Sequence, residues 1–282
     1  MGVRIVTDSS CDLAPDEAEA LGIDIVPLSI RFGDKEFTDR VELSVDEFYR
    51  RLSESEELPE TAAPAPGAFE QVFRRAAERG ADAVVCIDLS GELSATIQSA
   101  QNAARAVADV IPVHVVDSRS VTLGLGSQAI AAAELARDGA TADAIVAAVE
   151  DMAARTRVLA CLDTLENLKK GGRIGGAQAL LGNLLSIKPL IDASSGRVEE
   201  AGKARTRKKA LRWLADRLLE QPAVERLSVC HGEAPDVDEF LDLISSRFPR
   251  DEIRIALIGA VIGTHAGPRV LGVTWQQPSG AQ

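Results

Sequence analysis

An α/β fold built mainly on parallel sheet is what this chain predicts. Three observations carry that expectation. Short β-branched runs alternate with amphipathic stretches along the whole sequence. A length of 282 residues suggests two domains. A content of 46% hydrophobic but only 4% aromatic residues points to a large aliphatic core.

The elements follow in order. Residues 3–7 read as the first strand and 23–31 as the second. The second continues through Gly33-Asp34 into 35–39 as a hairpin with a glycine turn. Ser44-Val45-Asp46-Glu47 has the pattern of a capping box and starts a helix over 44–53. Residues 58–67 hold Pro59, Pro64 and Pro66 and read as a shaped loop without regular structure. A helix over 66–78 ends at Gly80, and a strand over 83–88 follows. A helix over 94–108 precedes a strand over 113–117. Helices over 127–138 (ended by Gly139) and 142–156 come next. The second half reads as strand 158–162, helix 179–185, helix 205–219, strand 227–231, helix 237–247, strand 252–258 and strand 270–275. Residues 276–282 read as a frayed tail. The alanine-rich helices end near residues 157–162, which places the boundary between domains 1–158 and 159–282.

Charge excludes some function classes. The chain carries a net −12, which argues against general nucleic-acid binding and against adsorption on anionic lipid. Its start is too short an apolar run for a signal peptide, and no run reaches a membrane span, so stable membrane insertion is not expected. Cys11, Cys86, Cys161 and Cys230 lie far apart and read as reduced core residues of a cytoplasmic protein. One stretch departs from the acidic average. Between Lys169 and Arg212 stand eleven cations against Asp192, Glu199 and Glu200. It opens with the glycine-rich run Lys169-Lys170-Gly171-Gly172-Arg173-Ile174-Gly175-Gly176. An anion, an acidic partner or a phosphoryl group would select such a segment, and a solvated basic face accounts for it equally.

Chemistry-bearing residues gather at predicted strand ends, where ligands collect in open parallel sheets. Thr7-Asp8-Ser9-Ser10 and Asp117-Ser118-Arg119-Ser120 are two such clusters, and helix capping or loop hydrogen bonding accounts for both. Ser94 reads as the N-cap of its helix, and a helix N-terminus also suits a carboxylate or phosphate. Thr61, in the proline-rich loop, adds a second hydroxyl if that loop folds onto the helix end. His265 sits between Gly263 and Gly267 in an expected loop, where an imidazole meets either a ligand or a backbone partner. Residues 177–191, rich in Leu and Ile, suit either a greasy cavity or an ordinary core helix. Neither a phosphate-loop spacing nor a GxSxG elbow is present, and no His–carboxylate or cysteine cluster has zinc spacing. A stand-alone Ser94/His265 hydrolase, a small-molecule kinase and a non-catalytic interaction protein remain as alternative classes.

Taken together, six segments resemble the DegV family, bacterial fatty-acid-binding proteins that partner a fatty acid kinase. They are Thr7-Asp8-Ser9-Ser10-Cys11-Asp12-Leu13, Leu93-Ser94 with Gln98-Ser99-Ala100, Val116-Asp117-Ser118, residues 165–174, Gly202-Lys203-Ala204-Arg205-Thr206, and Ile262-Gly263-Thr264-His265-Ala266-Gly267-Pro268. They occur in family order across nearly the whole chain. The resemblance implies two α/β domains, mainly parallel sheet in the first and mixed sheet in the second, with a lipid slot between them. It implies that Thr61, Ser94 and His265 hold a fatty acid carboxylate and that Arg173 flanks the opening where the kinase delivers phosphate. Lys203, Arg205, Arg207, Lys208 and Lys209 are the expected docking face for that kinase. The bound long-chain acid is then the only ligand, with no cofactor and no catalysis by this chain alone. Departures from the family pattern fall at Ala62-Ala63, Ala95, Ile97 and Arg269.

Overall fold

The computed structural model describes residues 2–183 and 187–280. Strand β1 (Val3–Asp8) runs through a 3-10 turn, Ser9–Cys11, into α1 (Pro15–Leu21). There follow β2 (Ile23–Val26), β3 (Ser29–Phe32), β4 (Lys35–Thr38), α2 (Val45–Glu54), β5 (Glu60–Ala62), α3 (Pro66–Glu78) and β6 (Ala83–Asp88). Next come α4 (Thr96–Ala106), β7 (Val113–Asp117), α5 (Thr122–Arg137), α6 (Ala142–Arg155), β8 (Thr156–Cys161) and α7 (Glu166–Lys170). A 3-10 stretch, Gly175–Asn183, leads to β9 (Lys188–Asp192), β10 (Glu199–Ala204), α8 (Arg207–Leu219), β11 (Glu225–His231) and α9 (Val237–Ile244). The described chain closes with β12 (Arg254–Leu257), α10 (Ala260–Ala266) and β13 (Leu271–Gln276).

These strands form three sheets. The first, in order β2-β1-β6-β7, is parallel throughout. The second, β10-β9-β8-β13-β11-β12, is antiparallel except for the β11–β12 pair. A small antiparallel sheet, β4-β3-β5, stands apart from both. The expected boundary at 158/159 falls inside β8, which belongs as a whole to the second sheet.

Helix α5 lies between the two large sheets, touching β1, β2 and β6 of one and β8, β11 and β13 of the other. Every residue from Thr122 to Ala133 is buried. A helix without a polar face needs cover on all sides, and two sheets supply it. The close approach requires small residues. A Cβ at Gly124 would stand 2.1 Å from Ser120 Oγ, and one at Gly126 would stand 2.5 Å from the Cys11 carbonyl oxygen. Those glycines lower helix propensity, and the spacing accordingly starts the helix at 127, five residues late.

Other differences have local causes. The expected strand 23–31 is two strands in two sheets, parted at Pro27, which lacks a ladder N–H. The proline-rich loop contains β5, three residues that pair with β3. The helix expected over 179–185 is 3-10 structure as far as Asn183, and its last two positions lie outside the described residues. Gln276 is buried at the end of β13 and does not belong to a tail. Strands β9 and β10 and helices α1, α7 and α10 carry too few periodic residues to be read from pattern.

All four cysteines are free and buried. Among the described residues no helix is long and apolar enough to cross a membrane.

Gly126 provides a test of the packing around α5. Gly126→Ala pushes a methyl against fixed backbone and is expected to cost about 1–3 kcal/mol. Urea denaturation of the purified variant measures the loss.

Candidate functional site

The inner face of the second sheet shapes a slot. Val158, Ala160 and Leu162 alternate along β8 and its exit, and Val270, Gly272 and Thr274 lead into and along β13 on the same side. In register, Ala160 faces Gly272 and Val158 faces Thr274. Two of the smallest residues thus sit opposite each other, and the space a larger pair would fill stays open. The opposite wall comes from Leu89, Leu93, Val121 and Thr122, and α10 adds Val261, Ile262 and Ala266. The empty space, mouth included, is about 1080 Å³. The outward face of the same strands presents Leu159, Cys161, Leu271, Val273 and Trp275 to a separate core with α8 and α9.

Polar groups meet at one end of this slot. Thr61, Ser94, His265 and Arg173 all line it, so the four residues singled out for a headgroup are gathered by three segments and a turn. Thr61 arrives on β5, fixed by its pairing with Ile30 of β3. Its Oγ1 lies 2.9 Å from His265 Nε2. His265 occupies the last turn of α10, where a loop was expected. One glycine within the helix and one just after it hide it. Both have packing reasons: a Cβ at Gly263 would press on Phe48 and Tyr49, and Gly267 ends the helix at φ +80°.

Ser94 was expected to cap α4, but the N-cap is Ala95, one residue later. The Ser94 hydroxyl nevertheless accepts the Thr96 N–H at 3.2 Å and lies 2.9 Å from Thr96 Oγ1. Arg173 is strung between two parts of the site. Its Nε donates to the Leu93 carbonyl at 3.2 Å, and another guanidinium nitrogen donates to the Gly171 carbonyl at 2.7 Å. A second cleft, lined by Glu92, Ile97, Gln98, Gly175 and Arg197 among others, opens outside Ser94 and Arg173.

Burial, and after it the Arg173 charge, together drive the His265 pKa down to about 4. The imidazole is therefore neutral at neutral pH while the slot is empty. Its Nδ1 is buried and has no partner among the described residues. A carboxylate arriving at this end would meet two hydroxyls, a neutral imidazole, the N-terminus of α4 and a guanidinium. Burying a carboxylate without such partners costs several kcal/mol or forces its protonation.

The glycine-rich turn serves packing. A Cβ at Gly171 would lie 2.3 Å from His265 Nδ1, and one at Gly175 would lie 2.3 Å from the Val198 carbonyl oxygen. Gly171 thus forms the floor under the imidazole, a role that nothing in its sequence neighbourhood signals. Asn167, one helical turn earlier, donates from Nδ2 to the Thr264 carbonyl at 3.0 Å and ties α7 to α10.

The basic residues divide. Lys203, Arg205, Lys208 and Lys209 are exposed around the end of β10 and the start of α8. Arg207 turns inward, against the expectation that it joins the docking face. It forms a two-nitrogen pair with Asp236 at 2.8 and 2.9 Å and reaches Cys161 Sγ at 3.4 Å. Its side chain is 12% exposed, so it braces the start of α8. A planar guanidinium suits that paired, half-buried position.

A stand-alone Ser/His hydrolase needs its serine hydrogen-bonded to the imidazole and a carboxylate behind it. Here His265 pairs with Thr61, Ser94 pairs with Thr96, and Nδ1 has no carboxylate among the described residues.

Fold and site define an α/β protein of two large sheets enclosing a long apolar slot with one polar end. The chain belongs to the DegV family: that family's model, described as "Uncharacterised protein, DegV family", matches residues 2–277. A DegV domain-containing protein of Streptomyces coelicolor is 40% identical over 277 residues, 96% of this chain and 97% of its own. Protein DegV of Bacillus subtilis is 32% identical over 281 residues, covering 98% and 99%. Among solved structures, a fatty-acid-binding DegV family protein from Thermus thermophilus superposes with a TM-score of 0.90 at 34% identity, covering 99% of this chain and 100% of its own. The fatty acid binding protein DegV from Bacillus subtilis superposes at 0.87 with 31% identity over 99% and 100%.

The floor under His265 can be tested directly. Gly171→Ala is expected to displace the imidazole while leaving the fold intact. Binding of a carboxylate-headed chain should weaken by about tenfold, the equivalent of one modest hydrogen bond. Displacement of a fluorescent fatty acid, checked beside a circular-dichroism melt, measures it.

Proposed function

We propose that this protein binds a long-chain fatty acid in the slot, with the carboxylate at Thr61, Ser94 and His265 and with Arg173 at the opening. The observation that carries the reading is the geometry of the slot: its walls are largely apolar, with Thr122 and Thr274 among them, and Thr61, Ser94, His265 and Arg173 gather at one end. That is the complement of a fatty acid. Fatty acid binding in the Thermus thermophilus and Bacillus subtilis relatives supports it. Chain burial contributes about 0.8 kcal/mol per methylene, so ten buried methylenes supply on the order of 8 kcal/mol before the headgroup counts.

The protein would not transfer phosphate by itself. It would present the bound carboxylate to a fatty acid kinase in the cytoplasm, and the resulting acyl phosphate would pass on towards phospholipid synthesis. Resemblance to the family motivates this part, together with the cleft outside Ser94 and Arg173, which gives a phosphoryl donor an approach. Lys203, Arg205, Lys208 and Lys209 are the proposed docking face; Arg207, held by Asp236, is left out of it.

Native mass spectrometry of protein purified from bacteria is expected to show a co-purified long-chain acid. An empty protein that also ignores added fatty acid would contradict the reading. Charge-assisted hydrogen bonds are worth about 1.5–3 kcal/mol each, so Thr61→Ala with Ser94→Ala should weaken binding by roughly a hundredfold or more. Unchanged affinity would remove both hydroxyls from the site. Charge reversal at Arg205 and Lys208 should slow phosphorylation of the bound acid by the kinase and leave fatty acid affinity unchanged. A parallel loss of both would merge docking with binding.

A further inference from the structure

Three acceptors at the end of β1 and in the turn after it reach the three segments that deliver Thr61, Ser94 and His265. Asp8 Oδ2 accepts the Leu89 N–H at 2.7 Å. Five residues on from Leu89 stands Ser94. Ser9 Oγ accepts the Leu28 N–H at 3.1 Å. Leu28 leads into β3, whose Ile30 pairs with Thr61. Asp12 Oδ1 accepts the Gly259 N–H at 2.9 Å and the Arg40 guanidinium at 2.7 Å. Gly259 caps α10, the helix that ends on His265.

Asp8, Ser9 and Asp12 are all buried, none more than 4% exposed. The 3-10 turn Ser9–Cys11 and the left-handed backbone of Asp12, φ 54°, aim the three side chains along different directions from one point. Asp tolerates that conformation better than most residues. Each acceptor takes a backbone N–H at the root of its segment. Buried hydrogen bonds of this kind hold position and are costly to leave unmade.

We infer that Asp8, Ser9 and Asp12 are positioning residues that set the mutual placement of the three headgroup side chains. They touch no ligand. They fix where Ser94, Thr61 and His265 stand relative to one another, and so act on recognition of the carboxylate and not on burial of the chain. This rests on the fatty acid reading for its ligand arm alone.

The test has two arms. In the empty protein, nitrogen-15 NMR of the His265 ring reports the bond to Thr61 without any ligand, with His265→Gln providing the assignment. Ser9→Ala and Asp12→Ala are expected to shift those resonances. Asp12→Asn, whose amide oxygen still accepts from Gly259, should restore them. In the second arm the folded variants are titrated with palmitate and with hexadecanol. Palmitate affinity should fall about tenfold, and hexadecanol affinity should stay within about twofold, since its neutral head depends less on a charge-assisted contact. If Asp12→Ala does not fold, Ser9→Ala carries both arms. Equal loss for both ligands, or unchanged His265 resonances in a folded variant, would overturn the proposal. If the wild type binds neither ligand, the fatty acid reading fails, and the NMR arm still decides whether the clamp holds His265.

Discussion

A helix with no polar side organises this molecule. Residues 122–133 of α5 can face water nowhere, so one sheet must cover each flank. Helix α5 packs against both large sheets and against α6, and beside it the sheets leave a gap that only side chains can fill. On the inner face of the second sheet those side chains include Ala160 and Gly272, paired across β8 and β13. The slot is therefore a consequence of packing around α5, with small residues where a core would ordinarily place large ones.

Electrostatics closes one end of the slot. His265 is buried beside Arg173 and kept neutral, with its Nε2 against Thr61. A neutral imidazole carries no counter-ion requirement, so the empty protein does not hold an uncompensated buried cation there. An incoming carboxylate supplies the negative charge that the site lacks, and Arg173 supplies the fixed positive one. Asp12, by contrast, is pushed up to about 7 by burial, even though Arg40 and the Gly259 N–H pull it down. The acidic groups around β1 thus sit where ionisation is resisted and neutral or paired forms serve as hydrogen-bonding posts.

Much of this was legible in the sequence, and the pattern of what was not has physical reasons. Strands with two buried faces, such as β1, β6 and β13, appear as continuous apolar runs. Edge strand β10 does not: Glu199-Glu200-Ala201-Gly202-Lys203-Ala204 is polar on both faces and bulges between Glu200 and Gly202. Helix α10 is invisible because Gly263 inside it serves a tight contact with Phe48 and Tyr49, which pattern cannot tell from a turn. Of the residues that line the polar end, Ser94, His265 and Arg173 stand in the family segments, whereas Thr61 lies outside them and was read from the residues themselves only as a hydroxyl in the proline-rich loop. Gly171 was not expected at the site, because its importance lies in the absence of a Cβ beside an imidazole 94 positions away in the chain. Backbone acceptors and donors such as Leu89 and Gly259 leave no mark on composition at all.

The basic stretch from Lys169 to Arg212 resolves into parts that share only their charge. Lys169 and Lys170 lie in the last turn of α7, where cations favour a helix C-terminus. Arg173 is held by the Leu93 and Gly171 carbonyls at the polar end of the slot, and Arg207 is spent on Asp236. Arg197 pairs with Glu92 across the outer cleft, at 2.8 Å and largely exposed, and so contributes little to stability. Lys188 pairs with Asp163, and the cations left exposed from the end of β10 into α8 are Lys203, Arg205, Lys208, Lys209 and Arg212. On an extended strand of about 3.3 Å per residue, Lys203 lies roughly 15 Å along the chain from Val198 at the slot. A partner docked on that group would have to reach across the outer cleft to the carboxylate, which makes the cleft, and not the basic face, the place where the two activities must meet.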